Sequence, residues 1–114
     1  MRSLTPHKNN KYGAWKTEYN GHTYDSRKEA KYAEELDLRV KAGEIKSWDR
    51  QVRLDCIIND KKCFFMKIDF LIYENNGSLR YVDVKGYKKG MAYTYWNVKR
   101  KVIQALMGID IETA

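Results

Sequence analysis

An acidic residue lies inside an apolar run of the sequence, "FFMKIDFLIY" at residues 64–73. The aromatic and β-branched residues around Asp69 predict a strand. An unpaired carboxylate buried in such a strand would cost several kcal/mol, because a charge loses its hydration when it leaves water. The fold must therefore bring a charged partner or a metal ion to Asp69.

The segment "YVDVKG" at residues 81–86 supplies the candidate partner. The two-residue period of a strand places Asp83 and Lys85 on one face, and Val82 and Val84 on the other. The spacing alone is a weak signal, because an acid two residues before a lysine occurs four times in the sequence. Among the four, only Asp83-Val84-Lys85 lies inside a predicted strand. This position in a strand, and not the spacing, makes it a candidate site.

The turn between these two strands decides whether their acids meet. A three-residue loop with Gly77 in the left-handed position would pair Glu74 with Ser78. Counting back along both strands then sets Asp69 directly opposite Asp83, on the same face.

A two-residue turn at Asn76-Gly77 would instead set Asp69 opposite Val84 and separate the acids. In the first register the two carboxylates repel each other, which favours a divalent cation between them. The alternative is a solvated face on which these acids form surface ion pairs with neighbouring lysines.

A helix is predicted from about residue 26 to 42. Ser26 followed by Glu29 is a capping-box signature, and Gly43 supplies the C-terminal stop. Glu29 lies one turn before the apolar stripe that begins at Ala33, so it is at the N-terminal end of the helix face that is expected to be buried. Its role is left open between helix capping and a carboxylate directed at the sheet.

Turn-forming residues and the spacing of apolar residues predict the remaining helices and strands. Asn20-Gly21 predicts an N-terminal hairpin, and residues 47–58, 61–74 and 78–85 predict an antiparallel meander. A second helix, "TYWNVKRKVIQALMG", is expected to end at Gly108, and "IDIET" to form a closing strand. The residues of this helix expected to point inward are Trp96, Ile103, Leu106 and Met107.

The bulk properties indicate one basic, globular domain. Residues 1–14 are polar and basic and are expected to form a flexible arm, and residues 15–114 a single domain. Lys and Arg number 22 against 15 Asp and Glu, giving a formal charge of +7. This excess predicts a polyanionic partner, most commonly nucleic acid.

No run of 18 apolar residues and no apolar stretch after the N-terminal charges is present, so we expect neither a membrane span nor a signal peptide. A cytoplasmic location follows, which is the host cytoplasm if the protein is phage-encoded. Cys56 and Cys63, expected to lie opposite each other across a turn at Asn59-Asp60, are then predicted to be reduced packing residues.

The order of helix, three strands, helix and strand, with these acids and this lysine, resembles the PD-(D/E)XK nuclease superfamily. The segments "YDSRKEAKYAEEL", "IDFLIY", "VDVKG" and "MGIDIE" are similar to a family of small phage-encoded proteins of unknown function placed in that superfamily. The resemblance covers residues from about Lys11 to the C-terminus. It implies an α/β fold with a restriction-endonuclease-like αβββαβ core, a central mixed sheet flanked by helices, and an N-terminal hairpin before it.

The resemblance also implies a Mg²⁺- or Mn²⁺-dependent DNA endonuclease. Asp69, Asp83 and the Val84 carbonyl would hold the metal, and Glu29 would bind a second metal ion or a water on the first. Lys85 would orient or help deprotonate the attacking water, or offset charge on the phosphate. The similarity to Holliday junction resolvases implies branched DNA, phage recombination and a homodimer.

Other interpretations of the sequence remain open, among them an inhibitor or adaptor of a host protein, which no sequence feature favours. A nucleic-acid-binding protein without catalysis would need basic residues alone, and a nicking or transposase-like endonuclease would share the same site residues. The residues predicted to contact DNA are Lys88, Lys89, Lys99 and Arg100.

Overall fold

The computed structural model describes residues 5–9, 15–86 and 88–114, with side chains from residue 16 onward. The chain divides into two compact units, residues 1–45 and 46–114. The predicted flexible arm followed by a single domain stays a prediction. Five residues of that expected arm, Thr5–Asn9, form a strand, β1. The other arm residues, 1–4 and 10–14, lie outside the described residues.

The N-terminal unit consists of a three-stranded antiparallel sheet and one helix. β1 pairs with β2 (Trp15–Tyr19), and β2 pairs with β3 (His22–Tyr24). Asn20 and Gly21 both have positive φ, at 50° and 82°, as the tight turn between β2 and β3 requires. The predicted hairpin is confirmed.

The helix of this unit, α1, spans Arg27–Lys41, close to the predicted bounds. The Ser26 hydroxyl accepts a hydrogen bond from the Glu29 backbone N–H at 3.1 Å, which confirms Ser26 as the N-cap. The Tyr19 hydroxyl donates to Asp37 Oδ2 at 2.6 Å and ties β2 to the helix. Burial, followed by this bond to a carboxylate, raises the pKa of Tyr19.

The C-terminal unit is built on a four-stranded mixed sheet in the order β4-β5-β6-β7. The antiparallel meander comprises β4 (Ser47–Ile58), β5 (Lys61–Tyr73) and β6 (Leu79–Asp83). The helix α2 (Gly90–Met107) then connects β6 to β7 (Ile111–Thr113), which pairs parallel to β6. From α1 onward the chain follows the predicted αβββαβ order, so the mixed α/β fold is confirmed.

The core of this unit forms where α2 packs on the long β4–β5 ribbon. Fully or nearly buried side chains come from β4, β5, α2 and β7, with Trp96 half-buried at their margin. They are Leu54, Cys56, Met66, Ile68, Ile103 and Ile111.

Two predictions about α2 are wrong. The helix begins at Gly90, four residues before the predicted start at Thr94. Leu106 and Met107, expected to point inward, are 49% and 44% exposed. Helical periodicity identifies the apolar positions, but it does not say how wide a stripe a neighbouring sheet covers.

The cysteines do not lie directly opposite each other. A bulge between Cys56 and Ile57 shifts the register, so that Cys56 faces Phe64. Both thiols are free; Cys56 is buried, as expected of a packing residue, whereas Cys63 is exposed rather than packed. Burial raises the pKa of the Cys56 thiol.

Within residues 5–9, 15–86 and 88–114, neither helix combines the length and apolar character that crossing a membrane requires.

Arg80 links the last strands of the sheet. Its Nε and Nη2 donate to the two carboxylate oxygens of Glu112 at 2.9 and 3.0 Å, and its Nη1 donates to Glu74 Oε1 at 3.2 Å. The paired guanidinium holds the pKa of Glu112 below its usual value of 4.5.

We predict that Glu112→Gln lowers stability at pH 7 by a few tenths to about 1 kcal/mol, since solvent screens a half-exposed pair. A depressed carboxyl pKa stabilises the folded state above about pH 4.5, and this contribution disappears as the pH falls through the folded-state value. Urea unfolding should therefore show a larger difference at pH 7 than near pH 3. The exposed-residue control Glu35→Gln should follow the wild type at both.

Candidate active site

The turn between β5 and β6 has the geometry that brings the two acids together. Glu74 N–H donates to the Ser78 carbonyl at 2.9 Å, and Gly77 has φ of +90°. The paired residues run from Tyr73 with Leu79 to Phe70 with Val82. One step further, this register sets Asp69 opposite Asp83, as the sequence predicted.

The two acids are joined by reciprocal hydrogen bonds between side chain and backbone. Asp69 N–H donates to Asp83 Oδ1 at 3.1 Å, and Val84 N–H donates to Asp69 Oδ2 at 2.8 Å. Asp83 is 3% exposed, whereas Asp69 is half-buried. Each carboxylate is thus fixed by a backbone N–H from the opposite segment of the β5–β6 hairpin, Asp83 in a buried position and Asp69 in a half-buried one.

Lys85 partly neutralises this pair. Its ammonium lies 2.8 Å from Asp83 Oδ2 and 4.0 Å from the centroid of the Trp96 ring. The aromatic face attracts the cation, and the helix α2 thereby helps to hold the lysine on the acids. The sequence identified Lys85, but nothing in its local pattern indicated Trp96 as its support.

A third strand contributes a residue that sequence reasoning missed. Gln51 lies on β4 opposite Asp69, because Arg50 pairs with Phe70 and Val52 with Ile68. Its side-chain Nε2 is 3.5 Å from Asp69 Oδ1. In sequence, Gln51 is one polar residue in an alternating strand, which gave no reason to select it.

Glu29 belongs to the N-terminal unit, whereas the Asp69–Asp83 pair belongs to the C-terminal unit. Glu29 is 6% exposed, and its backbone N–H completes the N-cap of α1. Its predicted place beside the carboxylate pair stays a prediction.

The basic residues predicted to contact DNA differ in their surroundings. Lys88 and Lys89, just before α2, and Lys99, within it, are exposed. Arg100 is half-buried, and its guanidinium donates to Asn97 Oδ1 and to the Ile111 carbonyl. Arg100 therefore joins α2 to β7. The three lysines are exposed, and the Lys99 ammonium also lies 5.7 Å from the centroid of the Phe64 ring.

The donor set at Asp69 and Asp83 suits a hard divalent cation. Two carboxylates and the nearby Val84 carbonyl offer oxygen atoms, which Mg²⁺ and Mn²⁺ prefer over nitrogen and sulfur. Mg²⁺ is commonly held by one or two carboxylates together with water and substrate phosphate. Among the described residues, no group of three or more His, Cys, Asp or Glu side chains is placed to hold a metal.

The family model described as "Protein of unknown function (DUF1064)" matches residues 9–108. The chain belongs to this family. The match spans both acids, Lys85 and Gln51, so the whole carboxylate site lies within the DUF1064 region. No curated protein and no solved structure matches the chain.

We predict that Lys85→Met destabilises the protein by about 1–3 kcal/mol, because Asp83 loses a charged partner while it stays buried. In an Asp83→Asn background the same substitution should cost much less, since the buried group is then neutral. Urea unfolding of the four proteins in this double-mutant cycle gives the coupling directly. Lys67→Met, on an exposed position of β5, is the control; equal losses from Lys67→Met and Lys85→Met would contradict the pairing.

Proposed function

We propose that this protein is a Mg²⁺- or Mn²⁺-dependent DNA endonuclease of the PD-(D/E)XK type. The observation that carries the proposal is the Asp69–Asp83 pair on adjacent strands, with the Lys85 ammonium 2.8 Å from Asp83. The αβββαβ order of the elements and the net charge of +7 support it further.

The electrostatics of the pair support cation binding. Two carboxylates and one ammonium leave a net negative charge in a partly desolvated position, where electrostatic attraction is stronger than in bulk water. Asp69, Asp83 and the Val84 carbonyl would hold the cation. When bound, it would polarise a phosphoryl oxygen and lower the pKa of water.

Lys85 would act on the reacting phosphate. In hydrolysis, a water oxygen forms a bond to phosphorus, the bond to the leaving oxygen breaks, and negative charge grows on the phosphoryl oxygens. The ammonium would stabilise that charge or orient the attacking water; to take the proton of that water, Lys85 would have to be in its neutral amine form. Its contacts with Asp83 and Trp96 would keep it in position, so little reorganisation is needed at the moment of reaction.

The exposed lysines supply the means of holding DNA. Lys88 and Lys89 follow the site by three and four residues, and Lys99 lies on α2. Lysines that contact phosphates position the duplex without reading its sequence. Branched DNA, and a role in phage recombination, are the substrate and context that we infer for this activity.

We predict cleavage of branched DNA in Mg²⁺ or Mn²⁺ and none in EDTA. Asp83→Asn and Lys85→Ala should each reduce the cleavage rate by about 100-fold or more, the usual cost of losing a catalytic charge. DNA affinity should be largely retained, because it arises from dispersed phosphate contacts. Gel assays on junction, single-stranded and duplex DNA test this.

The control for these variants is Asp110→Asn, an exposed acid between α2 and β7, which should cleave at the wild-type rate. Cleavage that persists in EDTA, or an Asp83→Asn variant that cleaves normally, would place the activity elsewhere. Binding without cleavage under all these conditions would favour the non-catalytic DNA-binding alternative.

We further predict a homodimer on a four-way junction. Each chain carries one Asp69–Asp83 pair in its described residues, and resolving a junction requires two symmetric nicks, which a two-fold dimer supplies. Light scattering measures the assembly, and a monomer both free and on the junction would favour a nicking enzyme.

Replacing Lys88 and Lys89 by Gln should reduce the slope of log affinity against log salt by about 2.

A further inference from the structure

Gln51 has an unusual backbone conformation for its position. It lies within β4, between residues that pair regularly with β5, yet its φ is +55°. This left-handed conformation brings Cβ close to the backbone, so residues other than glycine adopt it at a cost. Such strain persists where the surrounding structure imposes it, and it clusters at functional sites.

The other non-glycine residues with positive φ in the described parts of the chain have an ordinary explanation. All lie in two-residue hairpin turns, where the left-handed conformation is required. They are Asn20, Asn59 and Asp60.

The strained residue is directly opposite Asp69. One oxygen of that carboxylate, Oδ2, accepts the Val84 N–H at 2.8 Å, and the other, Oδ1, is 3.5 Å from Gln51 Nε2. The carboxylate is therefore approached from both sides, by the backbone after β6 and by a side chain of β4. The contact of 3.5 Å is at the long limit of a hydrogen bond and is exposed, and hydrogen bonds of catalytic groups are often this long in the absence of ligand.

We propose that Gln51 is a positioning residue for Asp69. Its left-handed backbone places the amide against Oδ1 and fixes the orientation in which Asp69 receives a divalent cation. The amide is neutral, so it orients the carboxylate without cancelling the charge that attracts the cation. This proposal rests on the proposed function, since that function makes Asp69 a cation ligand.

Gln51→Met tests the role of the amide. Methionine has nearly the same length and keeps the backbone strain, but it has no N–H to donate. We expect an unchanged urea midpoint, Mn²⁺ binding weakened about tenfold, as is usual for loss of a group that orients a ligand, and slower DNA cleavage. Calorimetric titration of the DNA-free protein with Mn²⁺ measures the affinity independently of activity.

Gln51→Gly tests the strain and separates positioning from a structural role. Glycine adopts positive φ freely, so this variant should unfold at the wild-type urea midpoint or above it, while losing Mn²⁺ affinity as Gln51→Met does. The matched control is Asn59→Gly, another left-handed position of the same strand pair, which should bind Mn²⁺ like the wild type.

The outcomes distinguish the positioning role of Gln51 from the proposed endonuclease function. If the wild type binds Mn²⁺ and cleaves DNA, and both Gln51 variants do so equally well, the positioning role alone is overturned. A Gln51→Gly protein that unfolds at a clearly lower urea concentration would assign Gln51 a structural role instead. If the wild type neither binds Mn²⁺ nor cleaves DNA, the proposed function fails and this inference fails with it.

Discussion

The candidate site depends on one pair of reciprocal hydrogen bonds. Asp69 N–H donates to the Asp83 carboxylate, and Val84 N–H donates to the Asp69 carboxylate, so each acid satisfies a backbone donor of the strand opposite. These bonds are charge-assisted, and they offset part of the repulsion between two neighbouring carboxylates. They form in one register alone, because a shift of one residue would place Asp69 opposite Val84. The loop that ends at Gly77 therefore sets the register that places the two carboxylates opposite each other.

Charge balance explains why an apolar sheet tolerates this pair. A buried carboxylate is costly unless it is paired and hydrogen-bonded. Lys85 supplies one positive charge. Its ammonium lies 4.0 Å from the centroid of the Trp96 ring, so a residue of α2 also helps to hold this charge in place. A second ammonium would cancel the remaining charge. The observed groups stabilise the fold, and under the proposed function the remaining negative charge would attract a cation.

Local patterns were sufficient to predict the order of the elements, the Asn20-Gly21 hairpin, the Ser26 cap and the pairing of Asp69 with Asp83. Each of these depends on residues close in sequence or on counting from a turn. The bulge that displaces Cys63, the exposure of Leu106 and Met107, and the contact of Lys85 with Trp96 depend on packing between distant segments. The left-handed φ of Gln51 could not be predicted either, because glutamine has no preference for that region.

The acids serve the fold and the site at once, which affects how their substitutions are interpreted. Alanine at Asp83 would remove the charge and also leave the Asp69 N–H without its acceptor, so lost activity would mix chemistry with local unfolding. Asparagine at Asp83 can keep a carbonyl oxygen at Oδ1 and so preserve the bond from the Asp69 N–H, but its NH₂ group then faces the Lys85 ammonium, which lies 2.8 Å from Oδ2. Asparagine at Asp69 has a similar effect, since Val84 N–H and Gln51 contact different oxygens of that carboxylate, and one of the two becomes an NH₂ group. Asp83→Asn combined with Lys85→Met removes the charge together with the facing donor, so charge and structure are separated most cleanly in the double variant.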